Sequence, residues 1–175
     1  MNQARNESGP QFDNGIADSI RVELHNATSP YEFVSSFGST YLQTNGTINI
    51  KTFTSDHTGT FYVVIKNRNS VETWSANPIT INSLVPLFYD FSTSASQAYG
   101  NNLKLMSDNV YAIFSGDANQ DCIVDASDMA IIDNSSTAIK LGYYPEDLNG
   151  DGIVDASDMA IIDNNSTAVV HVMRP

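Results

Sequence analysis

A twelve-residue segment at 117–128, DANQDCIVDASD, returns 30 residues later at 147–158 as DLNGDGIVDASD. Over residues 117–139 and 147–169, 18 of 23 positions are identical, and IVDASDMAIIDN recurs unchanged. Side-chain oxygens fall at positions 1, 3, 5, 9 and 12 of each segment. In the first copy these are Asp117, Asn119, Asp121, Asp125 and Asp128. In the second they are Asp147, Asn149, Asp151, Asp155 and Asp158. Four carboxylates confined to one short loop repel one another unless a cation joins them. Chance acidity does not set two such groups in one register, so the repeat constrains the chain to wrap two cations.

The spacing fits a hard divalent ion. Ca²⁺ takes about six to eight oxygens, and a twelve-residue loop supplies them from these positions plus the backbone carbonyl of position 7. That carbonyl belongs to Ile123 in the first loop and Ile153 in the second. The expectation is two calcium ions. Position 6, where the turn needs positive φ, is Gly152 in the second loop but Cys122 in the first. A side chain in that conformation costs on the order of 1 kcal/mol, so the first site is expected to be the weaker. Val124 and Val154 at position 8 are placed to pair with each other and couple the two sites. Short helices are expected after each loop, at 129–133 and 159–163, ending in runs of Asn, Ser and Thr that are poor helix formers.

A duplicated calcium loop followed by a helix, with Asp rather than Glu at position 12, resembles dockerin, the module that docks secreted bacterial proteins onto cohesin partners. The resemblance covers residues 116–170, about the last third of the chain. It implies calcium-dependent folding and binding to another protein. The family's partner-contact positions would fall at Ala126, Ser127, Asp133 and Asn134 and their copies Ala156, Ser157, Asp163 and Asn164.

Upstream the pattern is β. Residues 19–26 alternate Ile20, Val22 and Leu24 with Arg21, Glu23 and His25, a period of two with one buried face. Further strands are expected at 31–43, 47–53, 60–67, 70–75, 79–82, 87–91, 102–106 and 110–114, with Asn45 and Gly46 as a hairpin turn. Many short strands without a convincing helix predict an antiparallel, Ig-like β-sandwich over 18–114. The whole is therefore mainly β: a flexible polar arm at 1–17, the sandwich at 18–114, and a small dockerin-like α module with paired calcium loops at 115–175. Tyr143 and Tyr144, between the loops, are expected to pack the two calcium half-sites together.

Of 20 acidic residues against 8 basic, the loops hold eight, so the net charge of −12 chiefly reports metal sites. No Lys/Arg cluster exists to neutralise phosphates, which argues against nucleic acid. No apolar run reaches the ~18 residues of a membrane span. The three histidines and single cysteine have no zinc spacing, and there is no nucleophile elbow or phosphate-cradling glycine loop. No catalytic or cofactor-binding residue is assigned. The preferred place for Trp74 is the sandwich core rather than a carbohydrate-stacking face. The N-terminal stretch lacks an apolar signal core, so either a signal has been removed or export uses another route. Loops of this type suit millimolar extracellular calcium. The reading is a secreted or cell-surface bacterial protein without catalysis, making calcium-dependent contacts with copies of itself, as in a polymer, or with a cohesin-like receptor. The alternative is the C-terminal anchoring or sorting tail of a larger secreted enzyme or adhesin.

Overall fold

The computed structural model describes residues 1–50, 57–82 and 85–175. Two-residue strands β1 (Arg5–Asn6) and β2 (Gly9–Pro10) form a hairpin. The central strands are β3 (Ile16–Asn26), β4 (Phe33–Gln43), β5 (Gly59–Asn67), β6 (Ser70–Trp74) and β7 (Ile79–Ile81). A short ladder joins β8 (Lys104–Leu105) to β9 (Tyr111–Ala112). Helices α1 (Ala126–Thr137) and α2 (Ala156–Thr167) follow the two acidic loops.

The central sheet is antiparallel and ordered β4-β3-β5-β6, with β7 end to end with β6 along the same edge of β5. Alternation along β3 works as the sequence suggests: Ile20, Val22 and Leu24 are buried on one face. They pack with Ile65, Phe61 and Ile81 and with Phe37 and Leu42 of the neighbouring β4, and they are covered by Ile48, Ile50, Phe91 and Ile113. Much of that covering layer is irregular chain rather than long strands. The protein is mainly β with antiparallel pairing, as expected. The opposite face is not the solvated one that alternation implies. Register sets Glu23 beside Val64, His25 beside Tyr62, and Val64 beside Trp74. Glu23, Tyr62, Val64 and Trp74 are all buried there. Trp74 is thus a core aromatic, with its indole N–H donating to Glu72 Oε1 at 2.5 Å.

Several expectations are corrected. Residues 1–17 are no free arm: Ala4 is buried, its N–H donates to Ala17 O at 2.7 Å, and Arg5 N–H reaches Gly150 O at 3.1 Å. Residues 87–91 form no strand. Pro86 cannot donate to a ladder, and Asp90 instead closes a turn by accepting from Ser92 N at 2.7 Å and Ser92 Oγ at 2.6 Å. The strand expected at 47–53 runs outside the described residues after Ile50; its Ile48 bridges Leu42 across the Asn45, Gly46 turn. The helices are longer than expected, 12 residues each. Asn, Ser and Thr in the last turn cost only tenths of a kcal/mol apiece against better helix formers. Two capping boxes and the fully buried Ile132 and Ile162 outweigh that cost.

Sheet and loops share one core. Val71 of β6 is buried with Val124, Ile132, Val154, Ile162 and Val170. The outer edge of β6 continues into the first loop through Val71 N–H to Phe114 O (2.9 Å) and Gly116 N–H to Asn69 O (2.7 Å). The boundary expected at 114/115 is therefore crossed by both hydrogen bonds and core packing.

Candidate metal centre

Each loop is wound by its own side chains. In the first, Asp117 Oδ2 accepts from Cys122 N at 3.1 Å, and Asp128 accepts from Asn119 N at 3.0 Å and Asp125 N at 3.1 Å. Asn119 Oδ1 accepts from Asp121 N, and Asp121 Oδ1 from Ile123 N. Asp125 caps α1 by accepting from Ser127 N at 2.7 Å. The second loop repeats this plan through Asp147, Asn149, Asp151, Asp155 and Asp158. Position 6 is left-handed in both loops, at φ 77° for Cys122 and 85° for Gly152. Position 4 is too, at φ 61° for Gln120 and 79° for Gly150, a requirement not visible in the sequence pattern.

The loops differ at their centres. In the first, one carboxylate oxygen each from Asp117, Asp121 and Asp128 lie within 4.8 Å of one another. Asp117 is only 2% exposed, yet its Oδ1 has no hydrogen-bond partner. A buried, unpartnered carboxylate oxygen is costly. Burial, joined by the charge of Asp128, pushes the Asp117 carboxyl up to about 6. Burial likewise raises Asp128, Asp147 and Asp158 above the ordinary carboxylate range. In the second loop Asp147 is fully engaged: Oδ1 accepts from Gly150 N and Asp151 N, and Oδ2 from Gly152 N, at 2.9 to 3.1 Å.

A hard cation fits this donor set. It would satisfy Asp117 Oδ1, relieve the repulsion within the triad, and use the carbonyls of Ile123 and Ile153 that the loop plan reserves for it. The side chains that would hold it in the second loop are Asp147, Asn149, Asp151, Asp155 and Asp158. Calcium would supply charge neutralisation and fixed loop geometry; no reaction is implied.

Val124 and Val154 do not pair with each other as expected. Val124 N–H donates to Val170 O at 2.8 Å and Ile123 bridges His171, both beyond α2. Val154 N–H donates to Lys140 O at 2.9 Å and Ile153 bridges Leu141, both beyond α1. Each loop is thus closed by the segment that leaves the other loop's helix. Nor do Tyr143 and Tyr144 join the half-sites. Tyr143 lies under Arg68, with its hydroxyl on Asp18 Oδ1 at 2.5 Å, and Tyr144 lies under Lys140.

The β5–β6 turn also grips the second loop. Arg68 Nη1 and Asn69 Nδ2 both donate to the carbonyl of Asp147 at 2.9 Å, and Arg68 also reaches the carbonyl of Tyr144. These contacts span 76 to 79 residues, and nothing local in the sequence marks them.

The chain matches no known family model, and no curated protein matches it. It is similar to a crystal structure of a type II cohesin–X-dockerin complex from Acetivibrio cellulolyticus, an N-terminal interface mutant. The TM-score is 0.46 and the identity 19%, over 86% of this chain and 84% of that one. At that overlap the likeness fixes neither family nor fold.

Proposed function

We propose that this is a non-catalytic calcium-binding protein whose paired, dockerin-like loops fold on two Ca²⁺ ions and make calcium-dependent contacts with other protein subunits outside the cell. The observation that carries the reading is Asp117 Oδ1, buried without a partner beside two further carboxylates. That oxygen asks for a cation rather than a proton donor. Millimolar extracellular calcium suits loops of this type. Among the described residues no helix is long and apolar enough to cross a membrane.

Support for a protein partner comes from the outer faces of the two helices. Ala126, Ser127, Ala130, Asp133 and Asn134 are exposed, and so are their identical copies Ala156, Ser157, Ala160, Asp163 and Asn164. Identity there serves no core. The partner is a second copy of this chain or a cohesin-like receptor. Light scattering in millimolar Ca²⁺ and again after EGTA separates them. Large particles that dissolve in EGTA mean self-assembly, and a calcium-folded monomer points to a receptor. A size and fold indifferent to calcium would contradict the reading.

A further inference from the structure

We propose that the C-terminal segment 170–174 is a calcium-set tie, held by the first loop, that closes the buried charge cluster of the sheet over Trp74. The inference rests on the calcium reading above and adds to it a route from the first loop into the β domain.

The segment is stitched to the first loop along its length. Val124 N–H donates to Val170 O at 2.8 Å, Ile123 bridges His171, and Val172 N–H donates to Cys122 O at 2.9 Å. Positions 6, 7 and 8 of the loop are therefore all engaged, and position 7 is the one whose carbonyl faces the cation. Beyond that point the chain turns onto the sheet. Val172 packs against the Tyr62, Val64 and Trp74 cluster. Arg174 Nε donates to Glu72 Oε1 at 2.9 Å, the same oxygen that accepts from the Trp74 indole.

Glu72 belongs to a chain of charges in which both carboxylates, Glu72 and Glu23, are buried. Its Oε2 lies 2.9 Å from Lys66 Nζ, which in turn lies 3.0 Å from Glu23 Oε2. His25 also meets Glu23, and its ring lies 4.5 Å from that of Trp74. Lys66 serves two carboxylates, so Arg174 is a cation that Glu72 need not share with Glu23. A first loop without its ion loses the geometry that holds 170–172, and Arg174 and Val172 then leave Trp74. The corresponding segment after α1 does not reach this cluster; it leads to Tyr143 and Asp18 instead. The two repeats thus reach the sheet at different places, and only the second reaches its tryptophan.

Trp74 is the single tryptophan of the chain, which makes the test direct. The full chain is titrated with CaCl2 from an EGTA-stripped start, recording tryptophan emission and, in parallel, the heat of calcium binding. Wild type is compared with Arg174→Gln and Arg174→Lys. Arg174 is half-exposed, and Glu72 keeps Lys66 as a partner in both variants. Wild type should show an emission change that follows occupancy. Arg174→Gln should lose most of it, and Arg174→Lys should recover part. Coupling is reciprocal, so Arg174→Gln should also bind calcium more weakly, by about fivefold at most for one partly exposed ion pair. Calcium heat without an emission change in wild type, or a full emission change in Arg174→Gln, would overturn the tie and leave calcium binding standing. Absence of calcium heat in wild type would overturn both.

Discussion

The two loops share an unbroken run of twelve residues, yet the structure completes them differently. In the second, both carboxylate oxygens of Asp147 have backbone donors, and side chains of the β5–β6 turn hold the same residue's carbonyl. In the first, Asp117 Oδ2 accepts from Cys122 N, and its Oδ1 is buried without a partner. The glycines explain much of this. With Gly150 and Gly152 the second loop bends tightly enough to bring three N–H groups onto one carboxylate, whereas Gln120 and Cys122 hold the same left-handed turns with side chains attached. One loop has its first carboxylate fully held by backbone donors, and the other leaves an oxygen of that carboxylate without a donor. Similar sequences therefore do not mean similarly completed loops.

The largest effect should come from removing the ions altogether. Two sites at about 100-fold over their Kd contribute about 5 kcal/mol, or about 10–20 °C in Tm for a chain of this size. Because Val71 packs in the core shared by both loops, the sheet and the loops should melt together in EGTA, as one transition by calorimetry. A sheet that keeps its own calcium-independent transition would break the shared-core account.

Substitution at position 1 should separate the loops next. Asp147→Asn turns an acceptor oxygen toward N–H groups as an NH2, and in EGTA should cost about 1–3 kcal/mol. Asp117→Asn places an NH2 where an unpartnered oxygen stood, facing Asp121 and Asp128, and in EGTA should be neutral or stabilising. Both should weaken calcium binding. Denaturant melts of the two variants in EGTA check the contrast, and equal losses would erase it.

How much of this was legible beforehand follows from the range of each interaction. The left-handed turn at position 6 could be read because a loop of twelve residues carries its own geometry, and β3 could be read because Ile20, Val22 and Leu24 alternate. Glu23 and His25 fall on the side that alternation leaves to solvent, because alternation reports one buried side; Tyr31, Tyr99 and Val172 cover the second. The exchange of closing segments between loops, the grip of Arg68 and Asn69, and the docking of 1–17 all join residues far apart in sequence. Composition of the 1–17 stretch says polar, and nothing in it says that Ala4 and Arg5 will meet the second loop.

Position 6 sharpens the comparison at smaller scale. A Cβ on Gly152 would sit 3.0 Å from Arg5 Cβ, so Gly152→Ala should loosen the N-terminal hairpin and lower Tm in calcium. Cys122→Gly removes a left-handed side chain costing about 1 kcal/mol, and should tighten the first site by about fivefold. Calcium titrations of both variants decide it, and a weaker first site in Cys122→Gly would contradict the strain argument.

The smallest effect is on pH. Asp117 titrates at about 6 when folded, above its ordinary 3.8. A group holding its proton more tightly when folded stabilises fully below the lower value, and that contribution fades as pH rises through the upper one. In EGTA, Tm should therefore drift down between pH of about 4 and 6. Glu72 has the opposite sign. Burial alone would raise it, but hydrogen bonds from Lys66 and Trp74 with the charges of Lys66 and Arg174 hold it below 4.5, so its contribution disappears only in stronger acid. With calcium present the drift should reverse, since protons compete with the ion. A Tm in EGTA that rises across this window would contradict the assignment to Asp117.

The most direct test is isothermal calorimetry of the EGTA-stripped chain with CaCl2, alone and as Asp117→Asn and Asp147→Asn. The expected result is two ions per chain in wild type and one in each variant, with Tm rising as the ions bind. No heat and no rise in Tm in wild type would contradict the calcium reading of both loops.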